Sequence, residues 1–127
     1  MAMANSLQDK LDTKRIVIMD GGTGTEISRR GVTLDPSRSW SAKANVVSPD
    51  MVRDIHRDYI LAGAEIIITN TFSTSRATLA TDGLSEQTEA INEQSVRLAM
   101  DARKNCDAEE TVVIAGSMSA FEPQGHP

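Results

Sequence analysis

Cysteine is almost absent from this chain: Cys106 is the only one in 127 residues. No intrachain disulfide can form, and no cysteine-based metal cage can close within one chain. Histidine is nearly as scarce, and His56 and His126 are not spaced as a ligand pair. Metal binding by this chain alone is not expected. Aromatic residues make up 3% of the sequence, so the core must be built from Ile, Val, Leu, Met and Ala. Positive charge is also in deficit, with a formal net charge of −5, which argues against nucleic acid or an anionic membrane as partner. No apolar run approaches the ~20 residues needed to span a bilayer. The first ten residues lack the apolar stretch of a signal peptide, so a cytoplasmic location is expected.

What is present is the pattern of a parallel α/β protein. Residues 5–13 read as a short polar helix with Leu7 and Leu11 at i, i+4, covering the start of the sheet. Residues 15–19 are β-branched and apolar, a strand ended by Asp20-Gly21-Gly22. Thr25 to Arg30 makes a helical turn or two, stopped by Gly31. Residues 32–47 show no period and read as a long loop carrying Trp40. Ser48 is then expected as N-cap, with Pro49 first in the helix and Asp50 in its positive first turn. Val52, Ile55, Tyr59 and Ala62 form its apolar face, and Gly63 its end.

Residues 65–70 are an almost continuous apolar run, suited to a strand covered on both faces. A short helix through Ala77, Leu79 and Ala80 leads to Asp82-Gly83. Ser85 is expected to cap a longer helix whose inner face is Ile91, Ser95, Leu98, Ala102 and Cys106. Residues 111–115 make a third strand ending at Gly116-Ser117. Strands alternate with helices and no hairpin signal intervenes, so right-handed βαβ crossovers and a parallel sheet follow. Three strands make a poor finished domain, and a further element is expected after Pro127.

The three strand ends share one rim: Asp20-Gly21-Gly22, Asn70-Thr71-Phe72 and Gly116-Ser117. Such a rim suits a small zwitterion, with Asp20 accepting from an ammonium and N–H groups of Gly21 to Thr23 holding a carboxylate. The competing reading is that the glycines merely turn tightly and Asp20 caps the following helix. Gly22-Thr23-Gly24 begins a dinucleotide fingerprint, but Ile27 stands where a small residue is needed, and no P-loop occurs. His56 lies off the apolar helix face and reads as a surface or helix-packing residue. His126 is expected in a frayed tail, Cys106 as a small residue of the core or helix end. Trp40 either walls a pocket or packs under its loop. Asp54/Asp58 and Glu86/Glu89 read as solvated helix faces.

Together, the run from Asp20 to Glu26, Arg30-Gly31, Trp40-Ser41-Ala42, Ser48-Pro49, the stretch from Ile55 to Tyr59, Ala62-Gly63-Ala64, the stretch from Ile68 to Phe72, and Ala115-Gly116-Ser117 resemble the homocysteine S-methyltransferase family. The resemblance implies a TIM (β/α)8 barrel, of which residues 1–127 would be an N-terminal portion holding the first three βα steps or so. Such a barrel needs about 250 residues. It further implies methyl transfer to the sulfur of zinc-bound homocysteine, giving methionine, with zinc held by cysteines on later strands. Cys106 precedes the third strand and inherits no ligand role, so no zinc is expected for this chain alone. The resemblance places Asp20, Gly21, Gly22, Asn70, Thr71, Phe72 and Ser117 on the substrate-binding rim. The donor stays open among S-methylmethionine, betaine, S-adenosylmethionine and methyl-cobalamin or folate systems. A different class of function also remains, a small-ligand or self-associating module joined through exposed strand edges.

Overall fold

A computed structural model describes residues 6–13, 15–36 and 38–120; His126 and the expected tail lie outside them. Six α-helices and two strands are formed there: α1 (Leu7–Asp12), α2 (Thr23–Arg29), α3 (Ala44–Val47), α4 (Pro49–Leu61), β1 (Ile66–Ile68), α5 (Arg76–Ala80), α6 (Thr88–Asn105) and β2 (Val113–Ala115). β1 and β2 pair in parallel, with Ile67 opposite Ile114. The expected strand over 15–19 shortens to a single parallel bridge, Met19 to Ile66. Its hydrogen bonds are few: Ile18 O accepts from the amides of Glu65 and Ile66, and Asp20 N donates to Ile66 O. Among the described residues the segment pairs on one side only, so little holds it in full strand geometry. The three segments nonetheless run parallel, with β1 in the centre, as the βαβ pattern requires.

α1 corrects one expectation. Leu7 and Leu11 are exposed, whereas Lys10 is buried with its ammonium 3.6 Å from Glu65. The helix therefore docks by charge at the amino end of β1. Its start is a capping box, with Ser6 Oγ accepting from Asp9 N and Asp9 accepting from Ser6 N. The stretch 32–47 is not wholly a loop, because α3 occupies its last four residues. Pro49 does open α4, but Ser48 makes no side-chain cap bond; its ψ of 53° is far from the extended geometry that aims a cap hydroxyl inward. Gly63 ends the helix at φ +110°. Ser85 likewise caps nothing: a 3-10 turn over Ser85–Gln87 precedes α6, and the Thr88 hydroxyl donates back to Ser85 O.

α4 and α6 pack together and carry the core. Ile27, Ala44, Val52, Ile55 and Leu98 form one apolar cluster; Ala64, Ile67, Ala99, Ala108 and Val112 form a second between α6 and the sheet. The expected inner face of α6 is buried through Ala102, while Cys106 is half-buried at its end. On α4, Ala62 is exposed rather than part of the apolar face, and His56 is fully enclosed. α4 touches α2, α3, α6 and β1, so more than one of its faces is covered. Asp58 is not merely solvated, since its carboxylate lies 2.8 Å from Arg30 at the end of α2. Among the described residues no helix is long and apolar enough to cross a membrane.

Candidate functional site

The carboxyl ends of the three parallel segments meet. Asp20 Oδ2 accepts from Ile68 N at 2.8 Å, joining the first end to the second. Thr71 Oγ1 donates to Ser117 O at 2.8 Å and accepts from Ser117 N at 3.1 Å, joining the second to the third. Asp20 has a second oxygen, Oδ1, that is buried and has no hydrogen-bond partner among the described residues. Burial raises the Asp20 pKa, against the lowering effect of the Ile68 amide and its own. A half-satisfied carboxylate of this kind is ready to accept one more donor.

Asn70 is buried and its polar atoms are in use. Its Nδ2 donates to Ser41 O at 2.9 Å and Asn45 Oδ1 at 3.1 Å, its Oδ1 accepts from Ser41 Oγ at 3.0 Å, and its carbonyl accepts from Asn45 Nδ2 at 2.9 Å. The carboxamide thus braces the 41–45 segment against the end of β1. Phe72 is exposed and meets Trp40 edge-on, with ring centroids 6.3 Å apart. Trp40 itself lies against α2: a Cβ added to Gly24 would sit 2.8 Å from the indole. Glycine at 24 is therefore a packing requirement. Gly21 is held similarly by Tyr59, whose hydroxyl reaches Gly22 O at 3.4 Å.

Trp40 both walls and packs, because its ring spans from Gly24 to Phe72. Its backbone is left-handed at φ +48°, a conformation that costs a bulky residue about 1–3 kcal/mol. Sequence reasoning missed the residues that brace the rim, namely Ser41 and Asn45 on Asn70 and Tyr59 on Gly21 and Gly22. The polar residues lie in a segment with no period, and only their partners 25 to 29 residues away give them meaning.

A metal fits none of these positions. The described residues hold no group of three His, Cys, Asp or Glu side chains able to share an ion. Cys106 lines a hollow with Glu65 and Thr111, which precede the strands, so it lies at the far end of the sheet from Asp20. Burial pushes its thiol pKa up, which disfavours the thiolate.

Parallel strands joined through helices, with a polar, glycine-rich rim at their carboxyl ends, define an α/β protein with a parallel sheet. A family model described as homocysteine S-methyltransferase matches residues 17–124. The chain belongs to the homocysteine S-methyltransferase family. It is 38% identical to the homocysteine S-methyltransferase of Escherichia coli (strain K12) over 126 residues, 95% of this chain and 40% of that protein. It is 40% identical over 91 residues to a selenocysteine methyltransferase of Astragalus bisulcatus, covering 70% of this chain and 26% of that one. Its fold matches the metallated form of the E. coli homocysteine methyltransferase MmuM with a TM-score of 0.76 at 37% identity, over 88% of this chain and 41% of that one. The oxidised form gives 0.79 at 39%, over 89% and 40%. The chain thus spans about two fifths of the length of the E. coli relatives and about a quarter of the Astragalus one.

Proposed function

We propose that residues 1–127 form the first three βα steps of a (β/α)8 barrel whose rim binds homocysteine. Asp20 accepts from the ligand ammonium, the backbone N–H groups of Gly21 to Thr23 hold its carboxylate, and Phe72 borders its apolar part. Asn70, Thr71 and Ser117 keep the strand ends in register around it. The observation that carries this reading is the buried, partnerless Oδ1 of Asp20 beside an Oδ2 fixed by Ile68 N. An ammonium placed there would satisfy the orphan oxygen and offset the desolvation that raises its pKa.

The activity this supports is methyl transfer to the homocysteine sulfur, giving methionine, in a cytoplasmic setting. In the reading by family, zinc would bind the homocysteine sulfur and favour loss of its proton, making the nucleophilic thiolate. The described residues offer zinc no donor set, so this chain's own share is to bind and orient the amino acid. The methyl donor stays open.

Calorimetric titration with L-homocysteine tests the site. Asp20→Asn should weaken binding about tenfold to a hundredfold, the usual worth of a hydrogen bond to a charged group. N-acetylhomocysteine, which lacks the ammonium, should bind wild type about as weakly as homocysteine binds the variant. Equal affinity of wild type and Asp20→Asn for homocysteine would overturn the assignment.

A second reading rests on exposure at the sheet margins. Ile16, Ile18 and Met19 on one edge and Met118 beyond the other are exposed, which favours pairing with a further strand or a second copy.

A further inference from the structure

Trp40 sits between two residues that are each tied down from outside their own segment. Ser39 is fully buried. Its amide donates to Asp82 Oδ2 at 3.1 Å, its hydroxyl donates to the same oxygen, and its carbonyl accepts from Ser73 Oγ at 2.7 Å. Ser41 is held by Asn70 through both its hydroxyl and its carbonyl. The Asp82 side chain is 3% exposed and also receives Arg38 at 3.2 Å and Lys43 at 4.0 Å. Asp82 follows α5, Ser73 follows Phe72, and Asn70 lies just past β1, so three separate residues fix the three-residue stretch from Ser39 to Ser41. The residue in the middle carries the left-handed backbone. Strained backbone of this kind persists only where its surroundings over-determine it.

The consequence lies at the rim. With Ser39 and Ser41 fixed, the chain between them must bulge, and the indole lies over Gly24 and edge-on to Phe72. We infer that Asp82, together with Ser73, is a positioning residue that clamps Ser39 and thereby sets Trp40 against the ligand-binding rim. Asp82 reaches no rim residue itself and acts through Ser39. Arg38 is half exposed and shared with Asp35, so it screens the carboxylate without being the clamp. The effect on ligand rests on the rim reading above, whereas the placement of Trp40 does not.

Trp40 is the only tryptophan, so fluorescence of the full chain reads its surroundings directly. Trp40 is 38% exposed, so Asp82→Ala should shift the emission further to the red and increase acrylamide quenching while far-UV circular dichroism is unchanged. Asp82→Asn keeps an oxygen for the Ser39 amide and should fall between the two. Ser73→Ala should move the emission in the same direction as Asp82→Ala. Homocysteine affinity should drop about fivefold in Asp82→Ala, about the worth of one hydrogen bond. Unchanged quenching in a folded Asp82→Ala overturns the clamp. If that variant does not fold, unchanged quenching in both Asp82→Asn and Ser73→Ala does so. A displaced Trp40 with unaltered homocysteine affinity upholds the clamp and overturns a share for Trp40 in ligand binding, leaving the Asp20 site to its own test.

Discussion

His56 is enclosed on α4, and neither ring nitrogen has a hydrogen-bond partner among the described residues. Burial lowers its pKa from 6.5 to about 4. The unfolded chain therefore takes up a proton below pH 6.5 that the folded chain refuses until about pH 4. Stability is complete above pH 6.5 and should fall by roughly 3 kcal/mol as the pH drops through that window. Glu65 acts in a lower one. Its pKa is lowered to about 2 by Arg15, with the Ile18 amide assisting, so its contribution is present above pH 4.5 and is lost as pH falls toward 2. His56→Leu should remove the upper window only. Thermal melts at pH 7 and pH 4.5 check this, and an unchanged pH dependence in the variant would sink it. Asp20 has the opposite sign, because its raised pKa means that protonation favours the folded state. Asp20→Asn should therefore lose ligand without losing stability, a separation expected where a site is held at the expense of the fold.

At the scale of elements, the cap that matters is Ser75. It stands before α5 with ψ 154°, and its hydroxyl accepts from Thr78 N at 3.2 Å. Ser75→Ala should cost about 1 kcal/mol in urea unfolding. An effect below a few tenths would show that tertiary packing alone holds this five-residue helix. Ser48 and Ser85 had the same sequence credentials and cap nothing, because a cap depends on the local ψ, which the residue type does not dictate. Features that a side chain or backbone enforces by itself were legible. Pro49 opened a helix, Gly63 closed it, and the Ile66–Ile68 run became the central strand. Features made by distant partners were not. The burial of His56 follows from α4 being covered on several sides, which a 3-4-3 spacing cannot reveal. The Ser41, Asn45 and Asn70 network is equally invisible, since each of its members looks like an ordinary polar loop residue. The rim was legible as a location, because parallel strands bring their carboxyl ends together; which of its residues brace the strand ends was not.

For the whole molecule, the sheet's margins dominate. β1 is paired on both sides, while the Met19 segment and β2 pair only with β1 among the described strands. Ile16, Ile18, Met19 and Met118 are exposed around those margins. Exposed apolar strand edges promote association. Size-exclusion chromatography over a hundredfold range of concentration, roughly the span needed to expose weak self-pairing, should show elution moving earlier as concentration rises. A constant monomer position would remove the self-associating reading.

The same sheet governs the order of events in folding. The contact between Ile18 and Glu65 spans 47 residues, and that between Thr71 and Ser117 spans 46. No strand pairing among the described residues is local, so each must close a long loop before any ladder bond rewards it. The central strand has nothing to add to until α4 has brought it back beside the first segment. During synthesis the glycine-rich turn after Asp20 leaves the ribosome well before β1, the strand to which Asp20 is bonded. Asp20 is thus made early and takes its place only when β1 arrives to bond it.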